Sequence, residues 1–252
     1  VLIQFGIDQG EKTGLGRFFR IRSLGVRTHC FVDGYNLYYG LVAGTPYKWL
    51  DLPALLRHIL RVQDPGFDLV QISYFTAPVK PALASRGEAS LHAQRAYLRA
   101  LLAKGVLVHE GRHQLEPARA PAFQSDAPAS RLNMTDIWKL EEKETDVSLA
   151  IEMYRAASRS GAMPEAGIEQ IVLVSADTDF APAVRAIRED FPEMRLGLIL
   201  PHRETAHRPP PGSLTVNADW IRRHVTTKEL SAHQFPDRVA TRKKPARKPE
   251  YW

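Results

Sequence analysis

Three short segments carry residues able to do chemistry: Phe31-Val32-Asp33-Gly34-Tyr35-Asn36, Lys143-Glu144-Thr145-Asp146 and Val174-Ser175-Ala176-Asp177-Thr178-Asp179. In the first and third, an apolar run ends abruptly in acid. In an open parallel sheet the carboxyl ends of the strands face one crevice, where ligands bind. Carboxylates gathered there repel one another, by roughly 3 kcal/mol per pair at about 5 Å and an effective dielectric of about 20. A hard cation such as Mg²⁺ or Mn²⁺ relieves that repulsion. Each acid also has an ordinary explanation. Asp33-Gly34 and Asn36 are turn formers. Ser175, Asp177 or Thr178 would cap a helix starting near Phe180. Asp146 gains from a helix N-terminus. Capping accounts for one of Asp177 and Asp179, not for two carboxylates two positions apart after a buried strand.

Positioning such residues takes a sheet and its crossovers, and the chain reads that way. Thr28–Asp33, Asp68–Thr76, Val106–His109, Gln170–Ser175 and Arg195–Leu200 are strand-like. Leu52, Leu55, Leu56, Ile59 and Leu60 recur at helical spacing, as do residues from Leu91 to Leu102, from about Leu140 to Ala157, and Pro182–Glu189. Alternating strands and helices predict an α/β fold with a parallel sheet of five or six strands and right-handed crossovers. Residues 1–27 lack a sustained period and read as an N-terminal arm. Residues 111–138 are rich in Ala, Pro and Arg and read as an inserted loop. Val216–Val225 and Lys228–His233 read as small terminal helices or turns. From 236 to 252 the chain reads as a disordered basic tail, with six cationic residues between Arg238 and Lys248.

The 252 residues suffice for one sizeable domain, here 28–235. A net charge of +6 beside local acid suits a polyanionic substrate held near cations. The lone Cys30 excludes an internal disulfide framework and a Cys-rich zinc site, and makes a reducing cytoplasm the expected setting. No apolar run approaches a membrane span. His109-Glu110-Gly111-Arg112-His113 matches the H-E-x-x-H spacing of zinc peptidases, but that motif needs a helix. The preceding Val106-Leu107-Val108 is strand-like instead. No glycine-rich phosphate loop is present.

Phe31-Val32-Asp33-Gly34-Tyr35-Asn36-Leu37, Lys143-Glu144-Thr145-Asp146-Val147-Ser148-Leu149-Ala150 and Leu173-Val174-Ser175-Ala176-Asp177-Thr178-Asp179-Phe180, in this order, resemble the NYN domain family of PIN-like nucleases, in particular its LabA-like branch. His233-Gln234-Phe235-Pro236-Asp237 resembles the end of the domain. The resemblance implies a Rossmann-like PIN-type fold and a metal-dependent ribonuclease using Mg²⁺ or Mn²⁺. It implies that Asp33, Asp146, Asp177 and Asp179 form the acidic metal-binding set with Asn36 as polar partner. RNA is then the expected partner. Tyr35 is a candidate for stacking on bases, and Arg112, Lys143, Lys243 and Lys244 for contacting phosphates, with Lys143 also placed to orient Asp146. The oligomeric state stays open, a homodimer included. The rival class is a non-catalytic RNA-binding or assembly module with a vestigial acidic site. Asp177-x-Asp179 after a strand also resembles haloacid-dehalogenase phosphatases, but no downstream Lys and acidic pair follows.

Overall fold

Alternation of side chains along each strand organises the molecule, because a sheet covered on both faces must send apolar residues both ways. The computed structural model describes residues 25–162, 167–206 and 208–252. Most of the expected N-terminal arm therefore lies outside the described residues. Strand β1 (Val26–Asp33) is followed by the short helix α1 (Gly34–Leu37), a π-helical turn (Tyr38–Val42), α2 (Leu52–Gln63), β2 (Phe67–Thr76), α3 (Glu88–Ala103) and β3 (Leu107–Glu110). After β4 (Arg112–Pro121) and β5 (Met134–Lys143) come α4 (Thr145–Ala162), β6 (Gln170–Val174), a 3₁₀ turn (Thr178–Phe180), α5 (Ala181–Asp190) and β7 (Arg195–Ile199). The chain ends with α6 (Gly212–Thr215), β8 (Trp220–Arg222), α7 (Thr227–Ala232), β9 (Arg238–Val239) and β10 (Ala246–Arg247).

Six strands form one sheet in the order β3-β2-β1-β6-β7-β8, every pair parallel. Cys30, Val32, Ile72, Tyr74, Val172 and Val174 pack on one face with α2 and α3. Phe31, Phe75, Ile171, Leu173, Leu196 and Leu198 pack on the other with α4 and α5. The chain leaves β1 toward β2 and β3, then resumes on the other side with β6, β7 and β8. The order thus reverses between β1 and β6, the place where an open α/β sheet forms its crevice. Among the described residues no helix is long and apolar enough to cross a membrane.

Three expectations are corrected. Residues 111–138 are largely strand: β4 and β5 pair antiparallel as a two-stranded ribbon from Arg112↔Lys143 to Pro121↔Met134. Its residues are mostly exposed or half-buried, so no buried face imposes an apolar alternation on the sequence. For the same reason the helix expected from Leu140 starts only at Thr145. Glu144, at φ 75°, turns the chain out of β5 in a left-handed conformation that non-glycine residues seldom adopt. Residues Val216–Val225 hold the three-residue edge strand β8, too short to show a period. The tail is the third case. β9 and β10 pair antiparallel, burying Val239 and Ala246. Trp252 packs 6.1 Å from the rings of both Trp49 and Tyr97. The Tyr251 hydroxyl donates to the Ala89 carbonyl at 2.9 Å. Cationic composition masked an aromatic anchor with a buried receptor.

Candidate functional site

Asp33 ends β1 and caps α1, accepting the Asn36 backbone N–H on Oδ1 at 2.9 Å. Its Oδ2 accepts the Ser175 hydroxyl, also at 2.9 Å, across the β1–β6 seam. Gly34 is required next to it: a Cβ there would lie 2.6 Å from the Phe75 carbonyl oxygen and 2.7 Å from the Tyr74 ring. Beyond β6, the Ser175 Oγ accepts the Asp177 backbone N–H at 3.0 Å. Asn36 Oδ1 accepts the Ala176 N–H at 3.0 Å. Asp177 caps the 3₁₀ turn, accepting from the Asp179 N–H at 3.1 Å. The ordinary capping explanation therefore holds for Asp177, and it leaves the second oxygen of that carboxylate uncommitted.

These ends open into a cleft of about 570 Å³ whose walls include Asp33, Tyr35, Asn36, Tyr39, Glu142, Asp146, Ala176, Asp177, His202 and Arg208. Asp146 stands in the first turn of α4. Asp179 sits exposed on the 3₁₀ turn and is not part of the cleft wall. Burial pushes the Asp33 carboxyl up from 3.8 to about 6; the two hydrogen bonds oppose this, and Asp146 and Glu142 add to it. Asp146 is raised by desolvation first, then by the charges of Glu142, Asp177 and Asp179.

The Tyr35 hydroxyl donates to the Ala77 carbonyl at 3.0 Å, and its ring stacks on Tyr39 with centroids 6.0 Å apart. Two aromatic faces thus stand at the cleft. The expected phosphate contacts lie elsewhere. Arg112 pairs with Glu144 at 2.7 Å and Lys143 with Glu141, and neither lines the cleft. Lys143 is thereby committed to Glu141 and, among the described residues, forms no ion pair with Asp146. Lys243 and Lys244 are exposed between β9 and β10, outside the cleft wall. His109 and His113 sit on strands β3 and β4, so the H-E-x-x-H spacing gathers no zinc site.

Sequence reading missed Glu142, His202 and Arg208. Glu142 is the penultimate residue of β5, and the ribbon's register places it opposite His113. His202 and Arg208 both follow β7, where no motif marks them.

Among the described residues, no three His, Cys, Asp or Glu side chains are gathered closely enough to hold a metal ion. Four residues of the cleft, Asp33, Glu142, Asp146 and Asp177, nonetheless offer carboxylate oxygens, the ligand type of hard divalent cations, and no cation contributes to the environment of Asp33 or Asp146. In donor chemistry the wall fits Mg²⁺ or Mn²⁺.

The chain is 34% identical to the 6-hydroxy-3-succinoylpyridine 3-monooxygenase HspA of Pseudomonas putida (strain DSM 28022 / S16) over 245 residues, 90% of this chain and 75% of that protein. It resembles the crystal structure of a Vibrio parahaemolyticus protein of unknown function at a TM-score of 0.47 and 15% identity, over 81% of this chain and 94% of the other. The NYN domain matches residues 27–207, a span that runs from the second residue of β1 through β7 and takes in every carboxylate of the cleft. With its six-stranded parallel sheet in a PIN-like α/β arrangement, the chain belongs to the NYN domain family.

Proposed function

We propose that this protein is a metal-dependent ribonuclease of the LabA-like branch, acting in the cytoplasm on RNA phosphodiester bonds. The observation that carries the reading is the set of four carboxylates, Asp33, Glu142, Asp146 and Asp177, on one cleft at the carboxyl edge of the sheet. NYN domains are in the main PIN-like nucleases, which supports a hydrolase. Asp33 and Asp177 would hold a principal Mg²⁺ or Mn²⁺, with Asp146, Asp179 and Glu142 completing the acidic wall. When bound, such an ion polarises a phosphoryl oxygen and lowers the pKa of the attacking water. The protein's own part is positioning. Asn36 has its amide oxygen fixed by the Ala176 N–H, which directs its NH₂ group to act as a donor to water or a phosphate oxygen. Tyr35 and Tyr39 offer faces on which bases stack, a contact that tolerates any sequence.

A second reading rests on the relative named a monooxygenase, matched over 90% of this chain. On that reading the same cleft takes a small hydroxylated heteroaromatic acid. One experiment separates the two. Purified full-length protein is given single-stranded RNA with Mn²⁺, Mg²⁺ or chelator, beside Asp177→Asn, and separately 6-hydroxy-3-succinoylpyridine with O₂ and a reductant. Cleavage that chelator and Asp177→Asn both abolish supports the ribonuclease. Equal cleavage in excess chelator, or a hydroxylated product with intact RNA, refutes it.

A further inference from the structure

The cleft is also lined by two residues of opposite character to its acids, His202 and Arg208. The chain leaves β7 through Leu200, Pro201 and His202. His202 is 8% exposed and lines the cleft. Its backbone is pinned: its N–H donates to the Leu200 carbonyl at 2.7 Å and its carbonyl accepts from the Val225 N–H at 2.8 Å. Arg203 anchors the segment further, donating to the Leu41 carbonyl at 2.9 Å and to the Ala43 carbonyl. Gly40 lets the π-helical turn approach so closely that a Cβ there would lie 2.1 Å from the Pro201 carbonyl oxygen. The backbone carrying the imidazole is thus firmly placed, and the ring nitrogens make no hydrogen bond among the described residues. The ring nitrogens are not sealed from solvent, and they offer unused hydrogen-bonding capacity to the open cleft.

Arg208, an exposed side chain, lines the same cleft with Pro209 and Pro211 and forms no ion pair or side-chain hydrogen bond among the described residues. Burial, and secondarily the Arg208 charge, lower the pKa of His202. The imidazole is then neutral at pH 7 and offers one N–H donor. Arg208 adds a planar fork suited to two oxygens of a tetrahedral anion.

We propose that His202 and Arg208 form an oxyanion-binding part of the cleft that the carboxylates also line, and that it holds a phosphate of the substrate strand. The assignment to phosphate rests on the ribonuclease reading. A polymer with one phosphate per nucleotide can place one anion at these two residues, its neighbour at the carboxylates with the cation, and a base on Tyr35 or Tyr39. A cleft of about 570 Å³ is of the size that encloses a ligand of that order.

The test uses the full chain in chelator, so that RNA stays intact and binding is read without chemistry. Imidazole ¹⁵N resonances are followed while inorganic phosphate, or succinate, is added, with His202 assigned through His202→Gln. Affinity for a single-stranded RNA oligonucleotide is measured by anisotropy for wild type, His202→Gln and Arg208→Met, each first shown to melt as wild type does. We expect phosphate to shift the His202 ring, RNA to displace it, and each variant to bind RNA about tenfold more weakly, as loss of a hydrogen bond to a charged group implies. Undiminished RNA affinity in both variants would overturn the oxyanion site and leave the ribonuclease reading standing. A His202 ring that answers to succinate and not phosphate, with no RNA bound by wild type, would overturn the phosphate assignment together with that reading.

Discussion

Replacing Asp33 by Asn should shift stability relative to wild type in the variant's favour as pH rises from acid to neutral. Asp33 is 6% exposed, and its carboxyl is raised from 3.8 to about 6, by burial first and by Asp146 and Glu142 last. The sign follows from proton binding. Between those two values the folded chain holds a proton that the unfolded chain has released, so stability falls as pH rises. The favourable contribution is complete below about 4 and gone above about 6. The whole effect is about 3 kcal/mol, of which about 2 kcal/mol falls between about pH 4.5 and pH 7.5. Asn keeps an oxygen for the Asn36 N–H but turns an NH₂ toward the Ser175 hydroxyl. That mismatch costs the same at every pH, so the informative quantity is the change with pH, not the offset. Thermal melts of wild type and Asp33→Asn in chelator should therefore diverge, in favour of the variant, by about 4–8 °C between the two pH values. A difference that stays constant, or that shifts toward wild type as pH rises, would refute the reasoning about the buried carboxylate.

Three further outcomes are expected. At about a hundredfold its dissociation constant, Mn²⁺ should stabilise wild type at neutral pH by about 2.7 kcal/mol, and Asp177→Asn should lose most of this gain in calorimetric melts; equal gains in both would place the ion elsewhere. Gly34→Ala should cost about 1–3 kcal/mol in denaturant titration, because its Cβ meets the Phe75 carbonyl at 2.6 Å; an unchanged midpoint would mean that β2 yields freely. A chain ending at Asp237 should lose about 3–5 kcal/mol, the scale of removing a large aromatic from a core, since Trp252 leaves Trp49 and Tyr97; an unchanged melt, with a shallower salt dependence of RNA binding, would restore the view of this segment as a free cationic arm.

The sheet was legible because its strands are buried on both faces and read as continuous apolar runs ended by acid. Gln170–Val174 is buried at every position, and no other element of that length fits. The ribbon was illegible for the converse reason: Met134–Lys143 is exposed or half-buried throughout, so nothing in its sequence had to alternate, and its charges resembled a helix start. Asp33, Asn36, Asp146 and Asp177 could be placed at the cleft because turn chemistry and strand ends fix them locally. Glu142, His202 and Arg208 could not, since each arrives there by long-range register, through the β4–β5 pairing or the anchoring of the loop after β7 on the π-helical turn. The tail failed on composition alone, which weighs six cations and ignores one indole with a receptor.

Asp177 shows why capping and function need not compete. One oxygen serves the backbone of the 3₁₀ turn, which fixes where the other points without consuming it. Asp33 is held harder, both oxygens accepting one bond each, yet a carboxylate offers about four lone-pair sites, so each oxygen retains capacity. Ser175 couples the two, donating to Asp33 while accepting the Asp177 N–H. A fully buried hydroxyl with both roles filled holds the ends of β1 and β6 in register at the point where the sheet order reverses. Asp33 and Asp177 are therefore held in place before any cation arrives, and burial first, then the neighbouring carboxylates, leaves Asp33 and Asp146 with raised proton affinity. A divalent ion entering this wall displaces that proton and relieves the repulsion together, so affinity for the ion should rise steeply as pH passes through about 6.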